Sequence, residues 1–260
     1  MPISVVIITY NEERNLPRTL EQLRWCDDVI VVDSYSQDRT LEIAHAFQCR
    51  VVQQRFEGYG LQKNHGIALA KHDWVLSIDA DEVLSQELQH ELQQLDLAHS
   101  DYQGYFVSIR HVFMNKAFRY GKGSAYPKLR LFHKKTGQYN LDQVHEKVVL
   151  NGPTTHLKGL ILHHSYHDLS HFVRKMNDYS ERAAIQMFQQ GKTNSLLGIL
   201  MKIPLYFFKY YFLNLNILNG KAGFIWSWQS TWYHTLKYLK LYEMNRQSSK
   251  GSNKGDSLIQ

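Results

Sequence analysis

Three acidic side chains crowd together directly after one apolar run. The run, residues 73–78, predicts a buried strand, and the quartet Asp79-Ala80-Asp81-Glu82 follows it. Carboxylates this close repel one another and are costly to desolvate unless a cation joins them. Acidic side chains at positions i and i+2 can share a hard divalent metal ion, which also binds phosphate oxygens. The spacing therefore predicts a site for a metal ion and a diphosphate, with Asp79 and Asp81 as ligands.

A plainer interpretation of the same residues is a solvated acidic loop. In that case Asp81 is the N-cap of the helix that follows, a position that aspartate often takes. For an isolated Asp-x-Asp motif this second interpretation is the more common one. The choice between the metal site and the acidic loop depends on the elements that surround the motif.

Strand and helix patterns alternate through the first hundred residues. The strands are apolar on both faces, which predicts a mostly parallel sheet with helices on both sides. The predicted strands are residues 4–8, 29–32, 50–53 and 74–78, and the predicted helices are residues 13–23, 39–47 and 62–70. Further along, the pattern predicts a mixed sheet and one more helix, with strands at 104–113, 129–133 and 157–163 and the helix at 170–190.

Polar clusters follow three of the predicted strands. Ligands of parallel sheets bind beyond the carboxyl ends of the strands. The clusters at those ends are Thr9-Tyr10-Asn11, Asp33-Ser34 and the acidic quartet. Because the three converge on one edge of the sheet, this edge is predicted to be a functional site.

Composition indicates a folded, cytosolic protein. The chain has 260 residues, of which 43% are hydrophobic and 21% charged, enough for one large domain or for one domain with an appendage. Cys26 and Cys49 have no metal-binding or redox spacing, so we expect a reduced compartment. No basic region precedes an apolar stretch at the N-terminus, and we expect no signal peptide.

Glycine-rich phosphate loops are missing from the sequence. There is no Gly-x-x-x-x-Gly-Lys-Ser/Thr motif, and Gly121 and Gly123 do not follow a strand-to-helix turn. If phosphates bind, a metal ion must supply most of the positive charge, with Lys63 as a possible helper. Oxygen ligands suit Mn²⁺ or Mg²⁺.

Four motifs, taken in order, resemble those of family 2 glycosyltransferases. They cover roughly the first 100 residues and are residues 5–12 (VVIITYNE), Asp33-Ser34-x-Ser36-x-Asp38-x-Thr40, Lys63-Asn64 and Asp79-Ala80-Asp81-Glu82. The resemblance implies an inverting, metal-dependent enzyme with the α/β GT-A fold, a Rossmann-like and mostly parallel sheet flanked by helices. Later segments are similar to a narrower branch, the lipopolysaccharide-core β-1,4-glucosyltransferases, which add glucose to the first heptose of the inner core. Those segments are Lys128-Leu129-Arg130-Leu131-Phe132, Val144-His145-Glu146 and the aromatic C-terminus.

The resemblance implies that four residues bind the nucleoside. Thr9, Tyr10 and Glu12 would line its pocket, with Tyr10 packing on the base. Asp33 would accept a hydrogen bond from the uracil imide. The alternatives are that Tyr10 covers the core at the end of a strand and that Asp33 is a turn residue. Asp38 is ambiguous, because capping of a helix accounts for it equally well.

The same resemblance implies which residues bind the diphosphate and the metal ion. Lys63 would approach the diphosphate, although a single lysine on a helix is commonly a solvated one. Asp79 would contact the ribose or a metal-bound water, and Asp81 would ligate the metal directly. Ala80, between them, belongs to the same sugar-nucleotide site.

An inverting displacement also needs a base on the opposite face of the sugar. Glu146 is the predicted base, because the branch resemblance places a carboxylate there, and Asp142 is its near competitor. The structural alternative is that Glu146 pairs on the surface with Lys147 or Arg130.

Four histidines invite a zinc interpretation, which the pattern does not favour. His163, His167 and His171 would align only on a continuous helix, yet residues 159–163 predict a strand. One of His163 or His164 completing the metal shell remains an alternative.

The C-terminal region is basic and aromatic. From Gly191 onward the net charge is +7, and 13 of the 33 aromatic residues lie between Tyr206 and Tyr242. The apolar run 196–218 is interrupted by charges and a proline, and its longest charge-free piece, 210–220, is too short to span a bilayer.

An anionic membrane surface is the predicted partner of this region. One helical face carries Trp228, Trp232, Leu236, Leu239 and Tyr242, and Lys237 and Lys240 oppose it. Such a helix suits an interface with anionic lipid, the alternative being a packing helix or a dimer face. The first half lacks the interleaved basic and aromatic residues that nucleic acid would need.

The sequence thus predicts a glycosyltransferase on the cytoplasmic face of the bacterial inner membrane. It would transfer a hexose, most simply from UDP-glucose, to a lipid-linked saccharide. Residues 1–100 would bind the nucleotide sugar, 101–190 the acceptor, 191–248 would associate with the membrane or pack, and 249–260 would be a flexible tail. The rival functions are a sugar-nucleotide pyrophosphorylase and a non-catalytic membrane scaffold with a relict site.

Overall fold

The computed structural model describes residues 3–121, 123–142, 146–166 and 168–255, with 249–255 described by their backbone alone. The chain forms two compact units, the first of Met1–Val112 with Ser124–Ser165 and the second of Phe113–Gly123 with Tyr166–Gln260. The predicted acceptor segment, 101–190, therefore contributes to both units. The roles assigned to the predicted segments stay predictions.

The first unit begins with the expected alternation of strands and helices. Its first seven elements are β1 (Ile3–Thr9), α1 (Leu16–Glu21), β2 (Val29–Asp33), α2 (Thr40–Ala46), β3 (Arg50–Gln53), α3 (Tyr59–Ala68) and β4 (Trp74–Asp79). Then follow β5 (Glu82–Leu84), α4 (Gln86–Gln94), β6 (Gly104–Phe113), β8 (Tyr126–His133), β9 (Gly137–Tyr139), β10 (Val148–Leu150) and β11 (Thr154–His163), while β7 (Lys116–Ala117) lies in the second unit.

Eight of these strands form one mixed sheet in the order β3-β2-β1-β4-β8-β6-β11-β5. The pairs among β3, β2, β1 and β4 are parallel, whereas β8 runs antiparallel to both β4 and β6. Strands β1 and β4 are buried along nearly their whole length because helices cover both faces. The register sets Thr9 beside Asp33, and Asp79 beside Ile8, so the predicted polar ends meet at one edge.

Helix α3 lies unusually close to the sheet, and Gly66 makes this possible. A Cβ atom at Gly66 would lie 2.5 Å from a methyl carbon of Val6 and 2.8 Å from one of Val32. One turn earlier on the same helix is Lys63, which is 2% exposed. The close approach therefore places a lysine ammonium group under the carboxyl edge of the sheet.

The segment after the acidic quartet differs from the plainer interpretation given above. Residues Glu82–Leu84 form strand β5, which pairs antiparallel with β11. The next helix, α4, begins at Gln86, and the Ser85 hydroxyl accepts a hydrogen bond from the Leu88 N–H as its N-cap. The interpretation of Asp81 as the N-cap is thus wrong, since serine supplies the cap four residues later.

The second unit is mainly helical. Its helices are α5 (Leu169–Gln189), α6 (Leu196–Phe208) and α7 (Gly220–Gly255), with a π-helix at Lys209–Leu213 and a 3₁₀-helix at Asn216–Asn219. An aromatic cluster of Phe113, Phe118, Phe172 and Trp226 packs α5 against α7. Backbone of α7 continues past residue 249, where the tail was expected to begin, and residues 256–260 lie outside the described chain. The predicted fold class, an α/β sheet with a helical C-terminal extension, is confirmed.

Proline 204 and two lysines do not end helix α6. The helical stretch Leu196–Leu213 is 18 residues long and, by length and composition alone, apolar enough to cross a membrane. It is continuous because Pro204 removes only one backbone donor and the turns around it retain their hydrogen bonds. The helix is therefore longer than the interrupted sequence pattern indicates.

Candidate active site

A cavity of about 640 Å³ opens at the carboxyl edge of the sheet. It combines acidic, aromatic and basic side chains from loops that follow several strands. The lining residues are Ile8, Thr9, Tyr10, Glu12, Ser34, Arg55, Phe56, Tyr59, Asp79, Ala80, Asp81 and His163. Most of the residues predicted to bind a sugar nucleotide are among them, and we call this space the donor cavity.

Three exposed aromatic rings lie on one side of the donor cavity. Tyr10, Phe56 and Tyr59 are 59%, 47% and 49% exposed, and the last two pack edge to face with centroids 5.0 Å apart. Rings that stay exposed next to a polar edge offer a flat surface on which a base can stack. The sequence indicated Tyr10 through the motif, whereas Phe56 and Tyr59 carried no recognisable signal.

The loop after β1 is pinned by side chains of the loop after β2. Asn11 has a positive φ of 55°, its N–H donates to the Ser36 hydroxyl, and its side-chain oxygen accepts from the Gln37 N–H. In the same way the Glu12 N–H donates to the Thr40 hydroxyl, and the Glu13 N–H to Asp38. These bonds fix Tyr10 and Glu12 at the cavity.

Asp33 has partners other than the predicted uracil. It is fully buried, and its carboxylate accepts hydrogen bonds from the hydroxyl of Thr9 (2.9 Å) and from the N–H and hydroxyl of Ser36. The neighbouring Ser34, not Asp33, lines the donor cavity. Binding of a base by Asp33 stays a prediction, and its observed contacts are those of a residue that holds two loops together.

Asp79 is held by two cations. Its carboxylate lies 2.9 Å from the Lys63 ammonium group and 3.1 Å from the Arg130 guanidinium group. Although burial opposes ionisation, these two charges hold the pKa of Asp79 well below its usual range. The carboxylate is therefore charged, and the positive charge near it comes from side chains.

Arg130 was not predicted to take part in the site. It is 2% exposed and contacts Glu82 as well as Asp79, and Glu82 in turn accepts a hydrogen bond from the Asp79 N–H. Burial raises the pKa of Glu82 above its usual value even though Arg130 opposes the shift. The alternation Leu129-Arg130-Leu131 in a strand predicts an arginine that faces solvent, so the sequence carried no signal for its burial.

Asp81 forms a pair with His163. Asp81 Oδ2 lies 3.1 Å from His163 Nε2, and both side chains are about four-fifths buried, at 18% and 22% exposure. Burial opposes the charged imidazole, yet the hydrogen bond with Asp81 raises the pKa of His163 above its ordinary value. Backbone geometry supports the pair, because the His164 N–H donates to the Asp81 carbonyl and Thr19 donates to that of Ala80.

The Asp81–His163 pair fits a divalent ion that is held largely by its nucleotide. Within the described residues no group of three His, Cys, Asp or Glu side chains could hold an ion. The two donors are one carboxylate and one imidazole, and the buried Nδ1 of His163 has no hydrogen-bond partner in the described part of the chain. Mn²⁺ or Mg²⁺ commonly takes one or two protein ligands and completes its shell with phosphate oxygens and water. Asp79 as a ligand stays a prediction, and its two cation partners count against it.

Lys63 lies buried between two carboxylates, and its approach to a diphosphate stays a prediction. Its ammonium group is 2.9 Å from Asp79 and 3.0 Å from Glu146, and it lies 5.1 Å from the centre of the Tyr139 ring. The adjacent Asn64 fixes this arrangement by exchanging two hydrogen bonds of 2.8 Å with the Tyr139 backbone. The Lys63-Asn64 motif thus joins α3 to β9 through the hydrogen bonds of Asn64.

Glu146 lines a second cavity, of about 280 Å³. Its side chain is 17% exposed, and its ion partner is Lys63, not the Lys147 or Arg130 of the structural alternative. Val144 and His145 of the same motif lie outside the described residues. The other residues that line this space, which we call the second cavity, are Lys63, Phe106, Pro127, Lys128, Leu129, Arg130, Tyr139, Lys147 and Val148.

Asp142, the competing base, lines neither cavity. It is exposed and accepts a hydrogen bond of 2.6 Å from the Asn140 side chain.

The histidines of the zinc interpretation lie in different elements, because His163 ends β11 and His171 lies in α5, while His167 is outside the described residues. A continuous helix of zinc ligands is therefore not formed.

A third cavity, of about 510 Å³, contains both cysteines. Burial raises the pKa of Cys26 to about 11 and that of Cys49 to about 12. Thiols with such pKa values are poor nucleophiles and poor metal ligands at neutral pH. The donor cavity, with its charged and aromatic lining, is the better candidate for chemistry.

Fold and site together define a class: an α/β protein with an Asp-x-Asp motif and aromatic rings at the carboxyl edge of its sheet. The model of the family described as glycosyl transferase family 2 matches residues 4–152, more than half of the chain. The chain belongs to this family. The resemblance inferred from the motifs is confirmed.

Two relatives extend the likeness over nearly the whole chain. The lipopolysaccharide core biosynthesis glycosyltransferase LpsC of Rhizobium meliloti is 29% identical over 94% of this chain and 93% of its own length. The uncharacterised glycosyltransferase RT0209 of Rickettsia typhi is 31% identical over 95% of this chain and 88% of its own. Among solved structures, Staphylococcus aureus TarS 1–349 in complex with UDP-GlcNAc is 15% identical, with a TM-score of 0.49, over 97% of this chain and 92% of that one.

Proposed function

We propose that the protein is an inverting, metal-dependent hexosyltransferase that moves glucose from UDP-glucose to a lipid-linked saccharide, such as the inner-core heptose of lipopolysaccharide. The observation that carries the proposal is the placement of two carboxylates on one buried ammonium group. Lys63 contacts Asp79, which lines the donor cavity, and Glu146, which lines the second cavity. Lys63 therefore lies between a surface for the leaving nucleotide and a carboxylate able to act as base.

The donor would bind in the donor cavity with its base on the aromatic rings. Tyr10, Phe56 and Tyr59 supply the stacking surface, and the diphosphate would extend toward Asp81 and His163, which would hold the divalent ion. Such an ion supplies Lewis-acid stabilisation of the charge that grows on a leaving diphosphate. Arg55, at the rim, adds a cation within reach of phosphate oxygens.

Glu146 would act as the general base. It takes the proton of the acceptor hydroxyl while that oxygen attacks the anomeric carbon on the face opposite the diphosphate. The new glycosidic bond forms as the bond to UDP breaks, and the configuration at the anomeric carbon is inverted. Lys63 orients the Glu146 carboxylate through the contact of 3.0 Å. In inverting glycosidases, too, the leaving group and the base lie on opposite faces of the sugar.

The acceptor assignment has two supports. A relative along most of the chain carries the name of lipopolysaccharide core biosynthesis. The C-terminal region, with a net charge of +7 from Gly191 onward, suits a negatively charged surface. We therefore infer a peripheral location on the cytoplasmic face of the inner membrane, where lipid-linked saccharides of the envelope are assembled.

The two rival functions are less well supported. A pyrophosphorylase normally opens with a glycine-rich, arginine-containing phosphate loop, and residues 5–13 contain no glycine. A scaffold with a relict site would have no reason to retain a buried cluster of charges such as Asp79, Lys63 and Arg130, since each is costly to bury.

Thermal denaturation with UDP and Mn²⁺ tests the proposal. A rise in melting temperature that needs both ligands supports the transferase, whereas no change with either supports the scaffold. The acceptor is tested by mass analysis of envelope glycolipids from cells with and without the protein. Loss of one hexose from the lipopolysaccharide core supports the assignment, and an unchanged core refutes it.

A further inference from the structure

The outward side of helix α6 and the following π-helix is apolar. Leu197, Met201, Leu205, Phe208 and Phe212 are 71%, 63%, 66%, 52% and 43% exposed, and they recur at the spacing of one helical face. We call these five residues the outer face. Only 6% of the stretch Leu196–Leu213 is buried. A contiguous apolar surface of this kind marks an interaction site in a folded protein.

The inward side of α6 and the π-helix combines apolar side chains, such as Ile199 at 1% exposure, with polar aromatic ones. Tyr206 stacks on His234 of α7 with ring centroids 4.2 Å apart, and its hydroxyl lies 3.0 Å from that of Tyr238. Tyr210 makes a hydrogen bond of 2.7 Å with His234 Nε2. Large apolar side chains on the outside are the opposite of what is expected for a helix that faces water. The arrangement is the one expected where the surroundings are themselves apolar.

Two lysines without carboxylate partners among the described residues lie beside Tyr238. The Lys202 and Lys237 ammonium groups lie 4.2 Å and 4.7 Å from the centre of one ring, that of Tyr238. Lys202 follows Met201 directly and precedes Leu205 by three residues, so it borders the outer face. Within the described residues no carboxylate lies in ion-pair distance of Lys192, Lys202 or Lys237, three residues that we call the lysine cluster.

Among the described residues, no carboxylate compensates the charge of the lysine cluster. Burial and the neighbouring charges of Lys202 and Lys192 lower the pKa of Lys237. Lys240, one turn further along α7, differs because it donates to Asn177 and lies 3.4 Å from Glu181. An anion placed at the lysine cluster would relieve this repulsion.

We propose that the outer face lies in the interfacial layer of a bilayer that contains anionic phospholipid, and that the lysine cluster binds the phosphate of a lipid headgroup. Lysine suits this position, since its alkyl stem covers apolar surface while the ammonium group reaches the headgroups. The inference deepens the proposed function, on which it rests for the membrane location, by naming the surface and the ligand. It assigns the membrane contact to helix α6, whereas the sequence predicted the face of α7 that carries Trp228 and Trp232.

Flotation of the full chain with vesicles tests this assignment. The vesicles are phosphatidylcholine alone or phosphatidylcholine with an equal part of phosphatidylglycerol. Leu205→Glu should lower the bound fraction on the mixed vesicles by at least about tenfold, because an inserted leucine is lost and a charge added. The matched control Val149→Glu, at a 55% exposed residue of β10, should bind as the unmodified chain does.

Two lysines of α7 give a second matched pair. Lys237→Gln should weaken binding to the mixed vesicles by about fivefold, the value of one lysine near an anionic surface, whereas Lys240→Gln should change it little. The variant Lys237→Gln should leave binding to pure phosphatidylcholine unchanged, because the choline group neutralises the phosphate of that lipid and its surface has no net negative charge for Lys237 to meet.

Several outcomes overturn the proposal. Unchanged vesicle binding by Leu205→Glu, or equal losses for Lys237→Gln and Lys240→Gln, removes the assigned surface or the assigned headgroup contact. A smaller solution mass for Leu205→Glu, without any vesicle effect, makes the outer face a self-association interface. Retention of the chain after alkaline carbonate washing makes it a membrane span. Thermal stabilisation by UDP and Mn²⁺, measured without vesicles, reports separately on the proposed function.

Discussion

His163 cannot pair with Asp81 as an imidazolium and bind a metal ion at the same time. Without a metal ion, the imidazolium of His163 is stabilised by Asp81, which raises the pKa of His163 above its ordinary 6.5. As a ligand the imidazole must be neutral, because a metal ion and a proton compete for the same nitrogen lone pair. The proposed ligand pair would therefore be sensitive to pH.

The sign of the pH dependence follows from this raised pKa. In the metal-free protein the pair stabilises the fold fully below the unfolded pKa and loses this effect as the pH rises through the folded pKa. Manganese-dependent UDP affinity should change in the opposite direction, rising with pH by up to about tenfold per unit through the folded pKa, above pH 6.5. Titration calorimetry at several pH values measures it. His163→Gln should flatten the profile while His164→Gln preserves it, and a flat profile in the unmodified chain contradicts His163 as a ligand.

Glu146 carries the second residue-scale prediction. Glu146→Gln should reduce the turnover number by about 10²–10⁴-fold, the usual contribution of a general base, because the amide cannot take the acceptor proton. Its affinity for UDP should remain within about twofold, since the donor cavity keeps its lining. Asp142→Asn is the matched control and should retain turnover. Near-normal transfer by Glu146→Gln would move the base elsewhere.

Residue types at the site could be predicted from the sequence, but their partners could not. The Asp-x-Asp motif gave the carboxylates, and the strand ends gave their common edge. The burial of Lys63 against Asp79 and Glu146 could not be predicted, because the depth of α3 depends on Gly66 and on long-range packing. Arg130 lies 48 residues from Glu82 along the chain, a separation at which no local pattern reports contact.

At the scale of elements, the packing of α3 on β1 and β2 decides where Lys63 lies. Gly66→Ala should lower the free energy of unfolding by about 1–3 kcal/mol, because the added methyl group meets Val6 and Val32. Chemical denaturation measures the loss. In the double variant with Val6→Ala the loss should be smaller than the sum of the single losses, since space is returned at the same contact. Strict additivity would contradict this packing.

Elements were predictable where the pattern was continuous. Strands β1, β2, β3 and β4 begin or end within one residue of the predicted bounds, because each is an unbroken apolar or β-branched run between polar ends. Strand β5 was missed because three residues, Glu82–Leu84, are too short to show a period. Helix α6 passes Pro204, where sequence rules favour an end, since its neighbours continue the helical hydrogen bonds.

Over the whole molecule, the net charge differs between the first 190 residues and the C-terminal region. From Gly191 onward the net charge is +7, and the residues before it have a net charge of about −1. Acidic side chains needed at the donor cavity lie in the first unit, whereas the lysine cluster and the outer face lie in the second. This division matches a protein that binds a soluble metal nucleotide with one unit and an anionic lipid surface with the other.

Binding of UDP to the full chain tests the central claim most directly, which is that the Asp81 edge holds a divalent ion and a nucleotide together. In titration calorimetry with Mn²⁺ the unmodified chain should bind UDP, and a chelator should weaken that binding by at least about tenfold. Asp81→Ala should bind UDP equally weakly with and without Mn²⁺, while the exposed control Asp96→Ala should resemble the unmodified chain. Unchanged, manganese-dependent affinity in Asp81→Ala would contradict the account.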